Sequence, residues 1–209
     1  MKIKVCGVTQ PEQLLQLCDM DIEYVGFIFY PGSPRYVMNQ LQVKDVARLK
    51  SSTQKVGVFV NASEDEIMAQ VELYKLDAVQ LHGNESPSFC NNISDHIKVI
   101  KAFRINDEVT NIDWMVKPYE EACDFYLFDQ GAMGIYGGTG KKFDWSLIQN
   151  ANLGKQFFLS GGIGPDDAMA LKEFSHPYFY GIDINSRFEI EPGVKDMPAV
   201  IEFVKTVRS

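Results

Sequence analysis

Eight short apolar runs recur along the chain at nearly even intervals. They fall at 3–6, 24–29, 56–60, 78–82, 99–103, 125–129, 157–160 and 179–184. Most are β-branched or aromatic, and several are almost continuously apolar. That pattern predicts strands covered on both faces. The segments between them carry helical spacing. Pro11 opens a stretch to Met20 with Leu14, Leu15 and Cys18 at helical intervals, and proline suits a first turn. Residues 39–49 hold Leu41, Val43, Val46 and Leu49. Ser63-Glu64-Asp65-Glu66 reads as a capping box ahead of Ile67, Val71 and Tyr74. Further helices are expected at 84–92, 107–121 and 145–150. Residues 165–174 open with Pro165 and an acidic pair that favours a helix N-terminus. The last, at 198–208, carries Val200, Ile201, Val204 and Val207.

Strand followed by helix, eight times over, predicts a parallel α/β fold. A doubly wound eight-stranded sheet would satisfy the pattern. A closed (β/α)8 TIM barrel explains its evenness better. At 209 residues such a barrel is compact, since these folds run from about 200 residues upward. No linker, composition shift or low-complexity tract divides the chain, so residues 1–209 are expected to form one catalytic domain.

Composition then narrows the partners. Apolar residues make up 45% and charged residues 23%, as in ordinary globular proteins. The formal charge of -8 disfavours nucleic acid or anionic membrane as a partner. An anionic ligand must therefore be caught locally, by backbone N–H groups or a few placed cations. The N-terminus lacks the apolar core of a signal peptide, and no run of about 18 apolar residues occurs. A cytoplasmic protein with reduced thiols at Cys6, Cys18, Cys90 and Cys123 is expected.

In a barrel of this type the chemistry sits at the C-terminal ends of the strands. The polar residues at those positions are Cys6, Arg35, Asn61, Gln80, His82, Arg104, Asp129, Ser160, Asp183, Asn185 and Ser186. Any one of them could simply mark where a strand stops, but so many on one rim point to a site. Ser160-Gly161-Gly162-Ile163-Gly164-Pro165 follows the seventh strand. It reads as a phosphate loop or as an ordinary tight turn. A second glycine-rich stretch, 134–142, lacks the P-loop spacing and reads as a lid or as a surface loop. Cys6 could be a nucleophile, a base or a packed small hydrophobe. Asp129 ends an apolar strand, where desolvation favours the protonated acid. Together they form a candidate base and acid. No HxH or HExxH pattern occurs, so no catalytic metal is expected. A thiol hydrolase stays formally open, although no nucleophile elbow supports it.

The residues also carry a family resemblance. Lys4-Val5-Cys6-Gly7-Val8-Thr9 resembles the opening motif of the phosphoribosylanthranilate isomerases, barrel enzymes of tryptophan biosynthesis. Gly26 to Val37 is similar to their second motif and Val79-Gln80-Leu81-His82-Gly83 to their third. Tyr136-Gly137-Gly138-Thr139-Gly140 with Phe143-Asp144-Trp145, then Ser160-Gly161-Gly162, then Glu191 to Asp196, complete a likeness running the length of the chain. The resemblance implies an Amadori rearrangement, without cofactor or metal. N-(5-phosphoribosyl)anthranilate would become 1-(2-carboxyphenylamino)-1-deoxyribulose 5-phosphate. Carried over residue by residue, Cys6 would be the general base and Asp129 the general acid. Arg35 would meet the anthranilate carboxylate, with Gln80 and His82 also binding substrate. Gly161, Gly162, Asn185 and Ser186 would hold the phosphate.

A thiol of ordinary pKa ~8.5 is only slightly ionised at neutral pH. Either the site favours thiolate or the acidity of the iminium compensates. Arg187 and Phe188 stand where the family usually has glycine after the serine, and Gln130 and Lys142 also depart from it. Arg187 could add charge to the phosphate site or point outward. The expected partner is a phosphorylated small molecule, bound by a monomer or at most a weak homodimer.

Other readings remain at this stage. A sugar-phosphate epimerase would need a His/Asp metal set. An indole-forming synthase would need strand-end lysines, and Lys101 lies inside its strand. A non-catalytic sensor of a phosphorylated metabolite would need neither Cys6 nor Asp129.

Overall fold

The computed structural model describes residues 1–47, 49, 52–106, 109, 111–130 and 144–209. Eight parallel strands close into a barrel in sequence order. They are β1 (Lys2–Cys6), β2 (Tyr24–Ile28), β3 (Gln54–Phe59), β4 (Ala78–Leu81), β5 (Lys98–Ile105), β6 (Phe125–Gln130), β7 (Phe157–Leu159) and β8 (Phe179–Ile184). The seam closes where β1 pairs with β8, with Lys4 opposite Asp183 and Val5 opposite Ile184. The helices are α1 (Pro11–Asp19), α2 (Val43–Ala47), α3 (Glu64–Tyr74), α4 (Pro87–Ser94), α5 (Ile112–Val116), α6 (Ser146–Gln149), α7 (Ala168–Glu173) and α8 (Met197–Arg208).

The apolar stripes of these helices seal the outer face of the sheet. Leu14, Leu17 and Cys18 of α1 and Val200, Phe203, Val204 and Val207 of α8 are buried there. Each fully buried aliphatic or aromatic side chain contributes about 1.5–3 kcal/mol. The inside of the barrel is a separate, smaller core. Val56, Ala78, Ile100, Ala102, Leu127 and Phe158 fill it. Tyr24, Phe125 and Tyr180 pack against it at the N-terminal ends of their strands, and the two tyrosine hydroxyls lie 2.8 Å apart. That apolar plug leaves only the opposite mouth for polar chemistry.

Several helices differ in extent from the sequence pattern, for local reasons. The capping box of α3 forms as expected: Glu66 N–H donates to Ser63 Oγ and Ser63 N–H to Glu66 Oε2. The helix expected at 84–92 starts later, because Ser86 caps it through Phe89 N–H and Pro87 fills its first turn. Among the described residues of the stretch expected at 107–121 lie α5 and a 3-10 turn over Lys117–Tyr119, where Pro118 lacks the N–H that an α-helix needs. Residues 39–49 give a 3-10 turn (Val37–Asn39) and then α2. Residues 165–174 begin as a 3-10 turn (Pro165–Asp167) before α7. The glycine-rich stretch 134–142 lies outside the described residues.

One element was not anticipated. After β8 the chain makes a small antiparallel hairpin, β9 (Glu189–Glu191) and β10 (Val194–Lys195). Gly193 turns it at a φ of +89°, a region natural to glycine. Thr9, just past β1, donates through both N–H and Oγ to Gly193 O, at 3.2 and 2.8 Å. The hairpin is thus fastened to the exit of the first strand. Among the described residues, no helix is long and apolar enough to cross a membrane.

Candidate active site

At the C-terminal mouth the strands open into a funnel with about 790 Å³ of space, part of it open to solvent. Cys6, Arg35, Gln80, His82, Asp129, Gly161, Gly162, Asn185 and Ser186 all line it. Ser160 and Asp183 join them, whereas Asn61 and Arg104 do not. Asn61 accepts from Asn84 N–H, and Arg104 donates to the Asn84 side chain. Both therefore brace the loop behind the cavity.

Alternation along β1 puts Lys4 and Cys6 on one face, with Cys6 at the cavity and Lys4 beneath it. Lys4 is fully buried, and its Nζ donates to Asp183 Oδ2 at 2.9 Å. Burial pushes the Lys4 ammonium down, but Asp183 and Cys6 outweigh it and the net shift is upward. Asp183 Oδ1 has no partner among the described residues. The Cys6 thiol is also pushed up. Burial is the main cause, assisted by Asp183 and opposed by Lys4 and Lys195.

β1 and β6 lie three strands apart round the barrel, so Cys6 and Asp129 approach the cavity from nearly opposite sides. His82 Nε2 stands 3.2 Å from Asp129 Oδ2, close but not aligned as a hydrogen bond. Its Nδ1 meets Gln80 Nε2 at 2.8 Å. The loop carrying His82 is held from behind. Glu85 accepts from Gly83 N–H and Asn61 N–H. Lys101 reaches Glu85, Leu81 O and Gly83 O at 2.8, 3.1 and 2.9 Å. Lys101 is thus a buried brace directed away from the cavity.

Arg35 follows β2 in a tight turn in which Ser33 N–H and Tyr36 N–H donate to Tyr30 O and Ser33 O. Its Nε and Nη2 are already bound to Glu189, at 2.9, 3.0 and 2.6 Å. A second carboxylate must therefore use the Nη1 side of the guanidinium. Lys195 Nζ completes the network, reaching Glu189 Oε1 at 2.7 Å and Asn185 Oδ1 at 2.8 Å. Burial alone would raise the Glu189 carboxyl. Hydrogen bonds and charge from Arg35 and Lys195 overcome this and hold it below the usual range. The hairpin thereby links the residues expected at the two anionic ends of a ligand.

Gly161 and Gly162 turn the loop after β7 at φ +83° and +75°. A Cβ on Gly161 would come within 2.4 Å of Gln130 N, so only glycine lets this loop line the cavity. Gly161→Ala is expected to lower unfolding stability by about 1–3 kcal/mol, read from urea titration. Arg187 is exposed, beside Gly164, and is not part of the cavity wall.

Sequence reasoning gave no role to Lys4, Glu189 or Lys195, and none beyond a place on the rim to Asp183. For Lys4 a signal existed: a lysine two residues before Cys6, on the inward face of a strand. For Lys195 the signal was its place in the motif from Glu191 to Asp196; for Glu189 there was none, because the hairpin that delivers it was not foreseen.

A family model described as N-(5'-phosphoribosyl)anthranilate (PRA) isomerase matches residues 3–206. The N-(5'-phosphoribosyl)anthranilate isomerase of Parabacteroides distasonis is 43% identical over 99% of this chain and 93% of its own. The crystal structure of phosphoribosyl anthranilate isomerase from Thermotoga maritima superposes with a TM-score of 0.81 at 33% identity, covering 100% of this chain and 98% of that one. A further solved phosphoribosyl anthranilate isomerase, in complex with reduced 1-(o-carboxyphenylamino)-1-deoxyribulose 5-phosphate, gives a TM-score of 0.78 at 30% identity, with 100% and 98% coverage. Matched in sequence from end to end, and in fold by solved members, this chain belongs to the N-(5'-phosphoribosyl)anthranilate isomerase family.

Proposed function

We propose that the chain converts N-(5-phosphoribosyl)anthranilate to 1-(2-carboxyphenylamino)-1-deoxyribulose 5-phosphate, with Cys6 as base and Asp129 as acid. The observation that carries this reading is the placement of the two groups. A thiol and a carboxylic acid face one funnel from nearly opposite strands, and its wall also holds an arginine and two positive-φ glycines.

Asp129 gives its proton to the furanose ring oxygen as the C1–O bond breaks. The anthranilate nitrogen lone pair moves into the C1–N bond, leaving an iminium. That positive charge acidifies the C2 hydrogen, and Cys6 as thiolate removes it. The C–H electrons form the C1–C2 double bond of an enolamine, which tautomerises to the ketone. The cycle leaves Cys6 protonated and Asp129 ionised, and exchange with solvent restores both; His82 Nε2 stands 3.2 Å from Asp129 Oδ2. Asp183 Oδ1, unpaired among the described residues, is assigned to accept from a sugar hydroxyl. Gly161, Gly162, Asn185 and Ser186 surround the phosphate. The enzyme works on this small phosphorylated molecule in the cytoplasm, as a monomer or weak homodimer, without nucleic acid, membrane, metal or cofactor.

Arg35 binds the anthranilate carboxylate through its free Nη1 side. Charge-assisted hydrogen bonds contribute about 1.5–3 kcal/mol. Arg35→Met is therefore expected to raise KM about 10- to 100-fold and to change kcat far less. Initial rates on freshly generated phosphoribosylanthranilate test both statements. No turnover by the unaltered protein would sink the function, and an unchanged KM would sink the role of Arg35.

A further inference from the structure

We infer that Lys4 is a positioning residue for the base: its buried ammonium, anchored by Asp183 beneath Cys6, sets how readily the sulfur releases its proton. The inference rests on Cys6 being the base.

A fully buried lysine inside a barrel calls for an explanation. Toward the other end the interior is an apolar plug of Val56, Ala78, Ile100, Ala102, Leu127 and Phe158. Buried ion pairs are often no more stabilising than apolar residues of the same volume, so fold stability alone is a poor reason to keep Lys4. Nor does Lys4 touch the cavity, which its side chain does not line. Any influence on substrate must pass through a neighbour. An ammonium has three donors. One is taken by Asp183 Oδ2 at 2.9 Å, and Cys6 lies on the same inward face of β1, near enough for its charge to act on the ammonium. Gly26 of β2 packs so closely that a Cβ there would lie 2.7 Å from the sulfur. Cys6 is thereby packed against β2, on the same inward face of β1 as Lys4.

The charges around Cys6 then have a definite balance. Lys4 faces it from β1, Asp183 from β8 and Lys195 from β10. Arg35, which follows β2, and His82 and Asp129, across the mouth, line the same cavity. Two lysines against Asp183 favour a thiolate, while burial opposes one and prevails in the free protein. Lys4 limits how far burial can raise the thiol. The iminium formed during reaction then needs to supply only the remainder.

The test is the pH dependence of Cys6 alkylation by iodoacetamide, located by peptide mass, in Lys4→Met and Lys4→Gln. The glutamine variant keeps a hydrogen-bond donor without the charge. Both are expected to move the midpoint up by at least one pH unit. Both should also cut kcat at pH 7 about tenfold or more, with recovery as pH rises. An unchanged midpoint in either folded variant overturns the inference. If both variants fail to fold, Asp183→Asn takes their place. Removing the opposing carboxylate beside an intact Lys4 should lower the midpoint, and no change or a rise overturns the inference. Normal turnover by Cys6→Ser would remove the base assignment itself, whatever the alkylation midpoint does.

Discussion

Cys6→Ser is expected to lower kcat by about 10²- to 10⁴-fold, the usual contribution of a positioned general base, while the barrel stays folded. The substitution is nearly isosteric and slightly smaller, so the tight contact with Gly26 is preserved. What changes is acidity. A thiol can ionise within reach of neutral pH, even when burial raises it as it does here, and an aliphatic hydroxyl cannot. The unaltered enzyme should therefore gain rate with increasing pH as the thiolate population grows, whereas the serine variant should show no such rise. Fluorescence-detected turnover across a pH series measures both. Thermal unfolding of the variant within a few degrees of the unaltered protein ties the loss to chemistry. Turnover within threefold of normal would exclude Cys6 as the base.

Asp129→Asn is expected to have an effect of the same order for the opposite reason. The amide keeps the shape and one acceptor, but it cannot give a proton to the departing ring oxygen. Binding contacts remain, so the loss should fall on kcat and leave KM nearly unchanged. Stability gives a second check. When ionised, Asp129 pushes the buried Asp183 carboxyl upward, a repulsion between like charges that the amide removes. Its removal should leave the fold as stable as before, or more so. A variant that retains kcat would exclude Asp129 as the acid.

How much of this could be read from the chain depends on the range of the interaction. The strands were legible because each is short, apolar and buried on both faces, and that is a local property. The rim residues were legible because a polar side chain at the end of an apolar run marks both the end of the strand and the mouth of the barrel. Helix extents were less so, since single residues such as Pro118 and Ser86 decide where a turn can start or stop. The electrostatics were hidden. Lys4 meets Asp183 across 179 residues and Arg35 meets Glu189 across 154, and no periodicity records such pairings. The resemblance supplied roles for Cys6, Asp129 and Arg35. It did not reveal that Glu189 already occupies one side of the arginine.

The seam between the first and last barrel strands has a consequence for the order of assembly. Until β8 docks on β1, Lys4 lacks the Asp183 carboxylate that it meets in the folded barrel. A cation stranded in an apolar interior is costly, so closing the barrel without β8 would leave Lys4 buried and unpaired. Closing the seam and pairing the buried charge are thus one event, and the floor beneath Cys6 is completed with it.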